Sequence, residues 1–162
     1  MEMMTDETPR RTGHGDAAPT FRFRVLVDVR FRDLDALGHV NNAVYFTYFE
    51  IARIAYMEAV HERTRDIRGR GLVIAEAQCR YRSAALYGER LLIEVAAVGV
   101  RSRSFDLRYR VTTEEGGRLV AEGRTVQVAY DSQTGRAAAL DPALRSAIAR
   151  HEGATLGSNR EG

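Results

Sequence analysis

The chain of 162 residues predicts a two-layer α+β domain, antiparallel strands with one long helix, in the order strand, helix, four strands. Three observations carry that reading. Phe21, Phe23, Val25, Val27, Val29 and Phe31 alternate with Arg22, Arg24, Asp28, Arg30 and Arg32, the period-two signature of a half-buried strand. From about Asn42 to Ala59 apolar residues recur at helical spacing. Between Leu72 and Tyr130 four more alternating stretches are divided by turn signals.

Ahead of the first strand, residues 1–20 are rich in Thr, Gly, Pro and charge and read as a disordered leader, without the apolar core of a signal peptide. His14 in that leader carries no motif. The helix gathers Tyr45, Tyr48, Phe49, Ala52, Ala55, Tyr56 and Ala59 on one broad face, which wants a sheet beneath it. Thr47, Glu50, Arg53, Glu58 and His61 take the other side, with Val44, Ile51, Ile54 and Met57 between or within that stripe. Apolar residues there need a cover, either a second subunit or a ligand. The charged stretch 61–71 reads as a loop. In the strand at 72–82, Val73, Ala75, Ala77, Cys79 and Tyr81 share a side, which makes Cys79 a packed thiol. Tyr87-Gly88-Glu89 turns the chain into a strand at 90–100, and the polar run 101–104 links it to Phe105, Leu107, Tyr109 and Val111 on one face of the next. Glu114-Glu115-Gly116-Gly117 signals a hairpin. The last strand, 119–130, sets Ala121, Gly123 and Thr125 along one side, small enough for a helix to lie close. Asp141-Pro142 opens a short helix to about Arg150, with Asp as N-cap and Pro in the first turn. One domain over 21–150 is expected, followed by a flexible tail at 151–162.

Composition narrows the class of function. An apolar content of 44% suits a soluble globular protein with a real core, and a formal net charge of +2 gives no case for nucleic acid. Every basic residue other than histidine is arginine, a bias that a GC-rich genome produces on its own. The single Cys79 has no disulfide partner within the chain, and no apolar run approaches the roughly 20 residues of a membrane helix. A cytoplasmic location, with no membrane partner, is expected. Neither a phosphate-cradling glycine loop nor metal-ligand spacing occurs, so neither a metal nor a cofactor is expected.

The chemistry is concentrated where the first strand passes into the long helix. Asp33, Asp35, His39, Asn41 and Asn42 fall within ten positions, around a Gly38 that permits a sharp bend. Asn41 is the expected N-cap, and the free amides of the first turn suit a developing negative charge. Such a loop supplies a carboxylate for attack or for activating water, donors for an oxyanion, and a histidine to hydrogen-bond either. The plain alternative makes Asp35 a ligand of neighbouring amides and His39 a packing residue. Glu50 is a further candidate acid on the helix, with an ion pair to Arg53 as its other reading. Tyr45 and Tyr48 are core residues that also stand near the site.

The order of elements and the loop DLDALGHVNNAVYFTYFE resemble the hotdog fold, and within it the 4-hydroxybenzoyl-CoA thioesterase-like group, over about Phe21 to Leu140. YGERLLIEV, SRSFDLRYRV and DSQTGRAAAL stand where that group has similar stretches. The resemblance implies hydrolysis of an acyl thioester of coenzyme A or acyl carrier protein, by a homodimer or homotetramer. It makes Asp35 the catalytic acid and places the oxyanion amide at about Asn42. His39 with Val40, Asn41 and Asn42 also resembles the plant acyl-carrier-protein thioesterases, which carry asparagine where this chain has Leu37. Coenzyme A is a phosphate ester, so Arg101 and Arg103 are candidate clamps; a solvated turn is their other reading. The competing functions are a hotdog hydro-lyase on 3-hydroxyacyl thioesters, a non-catalytic acyl-CoA-binding protein and a structural oligomer. The paired loop acids argue against the first and the last of these.

Overall fold

The computed structural model describes residues 18–60 and 70–153. The leader at 1–17, most of the loop at 61–71 with His61, and the tail from 154 onward lie outside the described residues.

Among the described residues six strands and two α-helices follow the expected order, with a 3-10 turn added ahead of the long helix and a sixth strand ahead of the last one. β1 (Phe23–Asp28) leads through a 3-10 turn at Phe31–Asp33 to α1 (Val44–Val60). Then come β2 (Arg70–Tyr81), β3 (Arg90–Val98), β4 (Ser104–Thr113), β5 (Leu119–Asp131), β6 (Arg136–Ala137) and α2 (Pro142–Glu152). The sheet runs β1-β3-β4-β5-β2, antiparallel throughout, and β6 adds to β5.

Alternation does what the pattern dictates: Leu91, Ile93, Val95 and Ala97 from β3, and Phe105, Leu107, Tyr109 and Val111 from β4, are all buried. α1 lays Tyr45, Tyr48, Phe49, Ala52 and Tyr56 into the same core. Close approach of helix and sheet depends on Gly123, where a Cβ would sit 2.4 Å from Cζ of Phe49. That ring instead stacks on Tyr109, centroids 4.5 Å apart and planes 21° from parallel. α2 begins as expected, with Asp141 accepting from the Ala143 amide at 2.8 Å. Its far end is tied down by Glu152, whose Oε1 accepts from the Tyr56 hydroxyl at 2.6 Å and the Ala97 amide at 2.9 Å.

The structure corrects four expectations. Phe31 is 77% exposed, because the chain turns into the 3-10 helix and leaves the strand alternation. Met57, expected on the open margin, is buried, whereas Ile51 and Ile54 are exposed. A bulge between Ile74 and Glu76 adds a residue to β2 and switches its faces, so that Ile74 rather than Val73 shares a side with Ala77. β6, two exposed residues across the turn at Gly135, has no hydrophobic pattern to announce it. Cys79 is half-buried, and burial pushes its thiol up to about 11, in keeping with packing rather than reactivity.

Candidate active site

The segment between β1 and α1 folds as a clasp. Leu34 and Val40 bridge across it, and His39 bridges to Leu86. The Val40 amide donates to Ala85 O at 2.9 Å and the Asn41 amide to Asp33 O at 2.9 Å. At the tip the Asp35 amide donates to His39 O at 2.8 Å and Gly38 returns to Asp35 O at 3.0 Å, a turn that Gly38 closes at φ 77°. α1 starts at Val44, two residues later than Asn42, and Asn41 still caps it: Oδ1 accepts from the Ala43 amide at 2.9 Å. The Asn42 carbonyl is held by the Tyr81 hydroxyl at 2.9 Å. Tyr81 reads in sequence as one more alternating strand residue; its anchoring role depends on how β2 lies against the helix start.

The two loop acids differ sharply. Asp33 is buried, and its Oδ2 accepts from the Arg30 amide at 3.0 Å, Arg30 Nε at 3.1 Å and the Tyr48 hydroxyl at 2.8 Å, while Oδ1 takes Arg30 Nη2 at 3.1 Å. Burial alone would raise its pKa, but these bonds outweigh it and hold the carboxyl below its ordinary range. Burial and the hydrogen bond to Asp33 push the Tyr48 phenol upward. Asp35 is half-buried; Oδ1 accepts from the Leu37 amide at 2.8 Å and the His39 amide at 3.3 Å. Its Oδ2 accepts no hydrogen bond among the described residues. The His39 side chain is exposed on the same turn as Asp35, and Asn42 follows three residues on, just ahead of the helix.

Glu50 and the two arginines lie elsewhere. Glu50 is exposed and accepts from Arg53 Nη2 at 3.4 Å; it lines a groove of about 320 Å³ between α1 and the sheet, together with Phe46, Phe49, Ile74, Tyr109 and Thr125. Arg101 pairs with Asp106, its Nη1 and Nη2 lying 3.0 and 2.9 Å from Oδ1, and also donates to Gly99 O at 2.6 Å. Asp106 bridges on to Arg124, so Arg101 is part of a structural network. The Arg103 side chain is exposed. Because Asp28 pairs with Arg90 and Phe23 with Val95, β3 runs away from the clasp. Its nine residues carry the turn with Arg101 and Arg103 to the other end of the sheet, about 30 Å off.

An antiparallel sheet wrapped on one long helix, with an acidic clasp at the helix start, is the hotdog architecture. The chain belongs to the thioesterase-like superfamily, whose model matches residues 29–148. It is 38% identical to a Thermus thermophilus thioesterase solved with coenzyme A and zinc, at a TM-score of 0.74 over 84% of this chain and 98% of that one. It is 33% identical over 118 residues to the uncharacterized protein YsmA of Bacillus subtilis, covering 73% of this chain and 79% of YsmA. It is 28% identical over 123 residues to the long-chain acyl-CoA thioesterase FadM of Escherichia coli, covering 75% of this chain and 93% of FadM.

Proposed function

We propose that the protein hydrolyses acyl-CoA thioesters with Asp35 as nucleophile or general base and the helix-start amides as oxyanion donors. The observation that carries this reading is the division of labour within the Asp35 carboxylate. Oδ1 is held by its own loop, while Oδ2 stands clear. The Asn42 amide has no acceptor among the described residues, and it lies where the positive end of α1 favours negative charge. Attack by Asp35, or by water it deprotonates, moves the carbonyl electrons onto oxygen; collapse then expels the thiolate, which takes up a proton, and on the first route water hydrolyses the resulting Asp35 acyl anhydride to free acid. His39, exposed on the same turn, is the proposed donor of that proton. Losing one oxyanion donor in such a site costs about two to three orders of magnitude in rate.

A homodimer through β2 completes the proposal. β2 ends the sheet, with residues 73–78 exposed and Val73 and Ile74 each 40% exposed, whereas β1 at the opposite edge alternates half-buried with exposed. A twofold axis normal to the sheet at β2 sets the partner's copy antiparallel beside it. The same rotation brings Arg103 of the partner subunit to the end of the assembly that holds the clasp, where it can meet the phosphates of coenzyme A.

A panel of acyl-CoA and acyl-carrier-protein thioesters, followed with a thiol-detecting dye, tests the reaction and separates the two carriers. Release of thiol from none of them would refute the reading. Light scattering tests the assembly, and a mass equal to one chain at micromolar concentration would refute the dimer.

A further inference from the structure

The groove beneath α1 has a floor of unusual polarity. Tyr109 and Thr125 both line it, and both are buried, at 2% and 5% exposure. Their hydroxyls lie 2.9 Å apart, and Thr125 Oγ1 also accepts from Gln127 Nε2 at 2.6 Å. Gln127 is fully buried, and among the described residues its Oε1 has no hydrogen-bond partner. Counting hydrogens then leaves one over. If Thr125 donates to Tyr109, the Tyr109 hydrogen remains; if Tyr109 donates to Thr125, the Thr125 hydrogen remains. Gln127 Oε1 takes neither. A buried donor without an acceptor is costly, so the groove is built for an occupant that supplies one.

The groove also points back to the chemistry. On α1, Phe46, Glu50 and Arg53 follow at helical spacing over about 10 Å, and Phe46 and Thr47 bring the groove to the first turn of the helix, a few residues beyond Asn42. We propose that this groove takes the acyl part of the thioester, and that the Tyr109–Thr125 pair selects acyl groups bearing a hydroxyl or keto oxygen well beyond the thioester carbon. This rests on the thioesterase reading above and names its substrate class. Phe46, Phe49 and Ile74 supply the apolar walls, and the leftover hydroxyl hydrogen binds the substituent oxygen.

The test uses acyl-CoA pairs of equal carbon count, with and without an oxygen, the oxygen being moved outward along the chain. The ratio of kcat/KM within each pair is measured on one preparation, so partial loss of folded protein cancels. The wild-type chain is expected to favour the oxygenated member by about tenfold at one position, the order of one hydrogen bond. Tyr109→Phe and Thr125→Val should each keep part of that preference, since either remaining hydroxyl then has its own hydrogen to give. The double variant should bring the ratio to about one. If the double variant does not fold, the wild-type ratio and the single variants decide. A wild-type ratio near one at every position overturns the proposal; it is also the result expected if the Gln127 amide is turned over, taking the Thr125 hydrogen, or if a second copy fills the groove. A preference that survives in the double variant overturns it as well, because selection then lies elsewhere. Hydrolysis of neither member of any pair overturns the thioesterase reading and this inference with it.

Discussion

Asp33 and Asp35 stand two residues apart in one clasp and have opposite environments. Asp33 is buried under Tyr48 and gripped by Arg30, with donors on both of its oxygens. Asp35 is half-buried and gives one oxygen to the amides of its own turn. A carboxylate with both oxygens committed can hold a fold but has nothing to offer a substrate. A carboxylate held at one oxygen is oriented and still reactive. On the proposed mechanism the two acids divide into a structural and a chemical member, and substitution by the matching amide tests that division.

The largest expected effect is on rate, at Asp35→Asn. Asparagine keeps the oxygen that accepts from Leu37 and His39, so the loop should hold and the melting temperature should stay within a degree or two. Turnover should fall at least about a hundredfold with little change in substrate affinity, since a nucleophile or base acts chiefly in the transition state. A destabilised variant with near-normal turnover would reverse the assignment.

Asp33→Asn should do the opposite. It leaves one acceptor oxygen for the donors now shared between two, and turns an amide NH₂ toward donors. A loss of about 1–3 kcal/mol by urea denaturation is expected. Acidification should act through the same group. A carboxyl held below its ordinary pKa contributes stability above the unfolded-state value, and that stability is lost as pH falls through the lower, folded value. The wild-type chain should therefore lose stability more steeply than Asp33→Asn in the acid range. Parallel stability profiles would show that Asp33 carries no such linkage. Tyr48→Phe removes one of the donors and should cost less, about 1 kcal/mol.

The sequence revealed the alternating strands, the helix face and the clasp, because each is a local pattern. Phe105 through Val111 and Leu91 through Ala97 needed only their period of two. What stayed hidden depends on pairing between distant segments. The bulge near Ala75 is a property of β2 against β5, and it switched a face that alternation alone had fixed. The distance of Arg101 and Arg103 from the clasp follows from the register of β1 on β3. Asp33 and Asp35 look alike in sequence, and only the fold brings Tyr48 over one of them. Tyr81 likewise gains a purpose only when β2 is laid beside the helix start.

The smallest expected effect belongs to the third acid of the region, Glu50, and it tests whether the division between the loop acids is complete. Glu50 is exposed, and its ion pair with Arg53 at 3.4 Å is long and solvated. Pairs of that kind contribute about 0–1 kcal/mol, so Glu50→Gln should leave the melting temperature within about a degree. A bystander carboxylate on the groove rim should also leave kcat within about threefold on the best acyl-CoA, with any change appearing in KM, the mark of uniform binding. A helix acid that moved protons would behave differently: kcat would fall by two orders of magnitude or more at unchanged stability. Measured beside Asp35→Asn on the same substrate, that outcome would move the chemical centre from the clasp to the helix and leave Asp35 as a loop ligand.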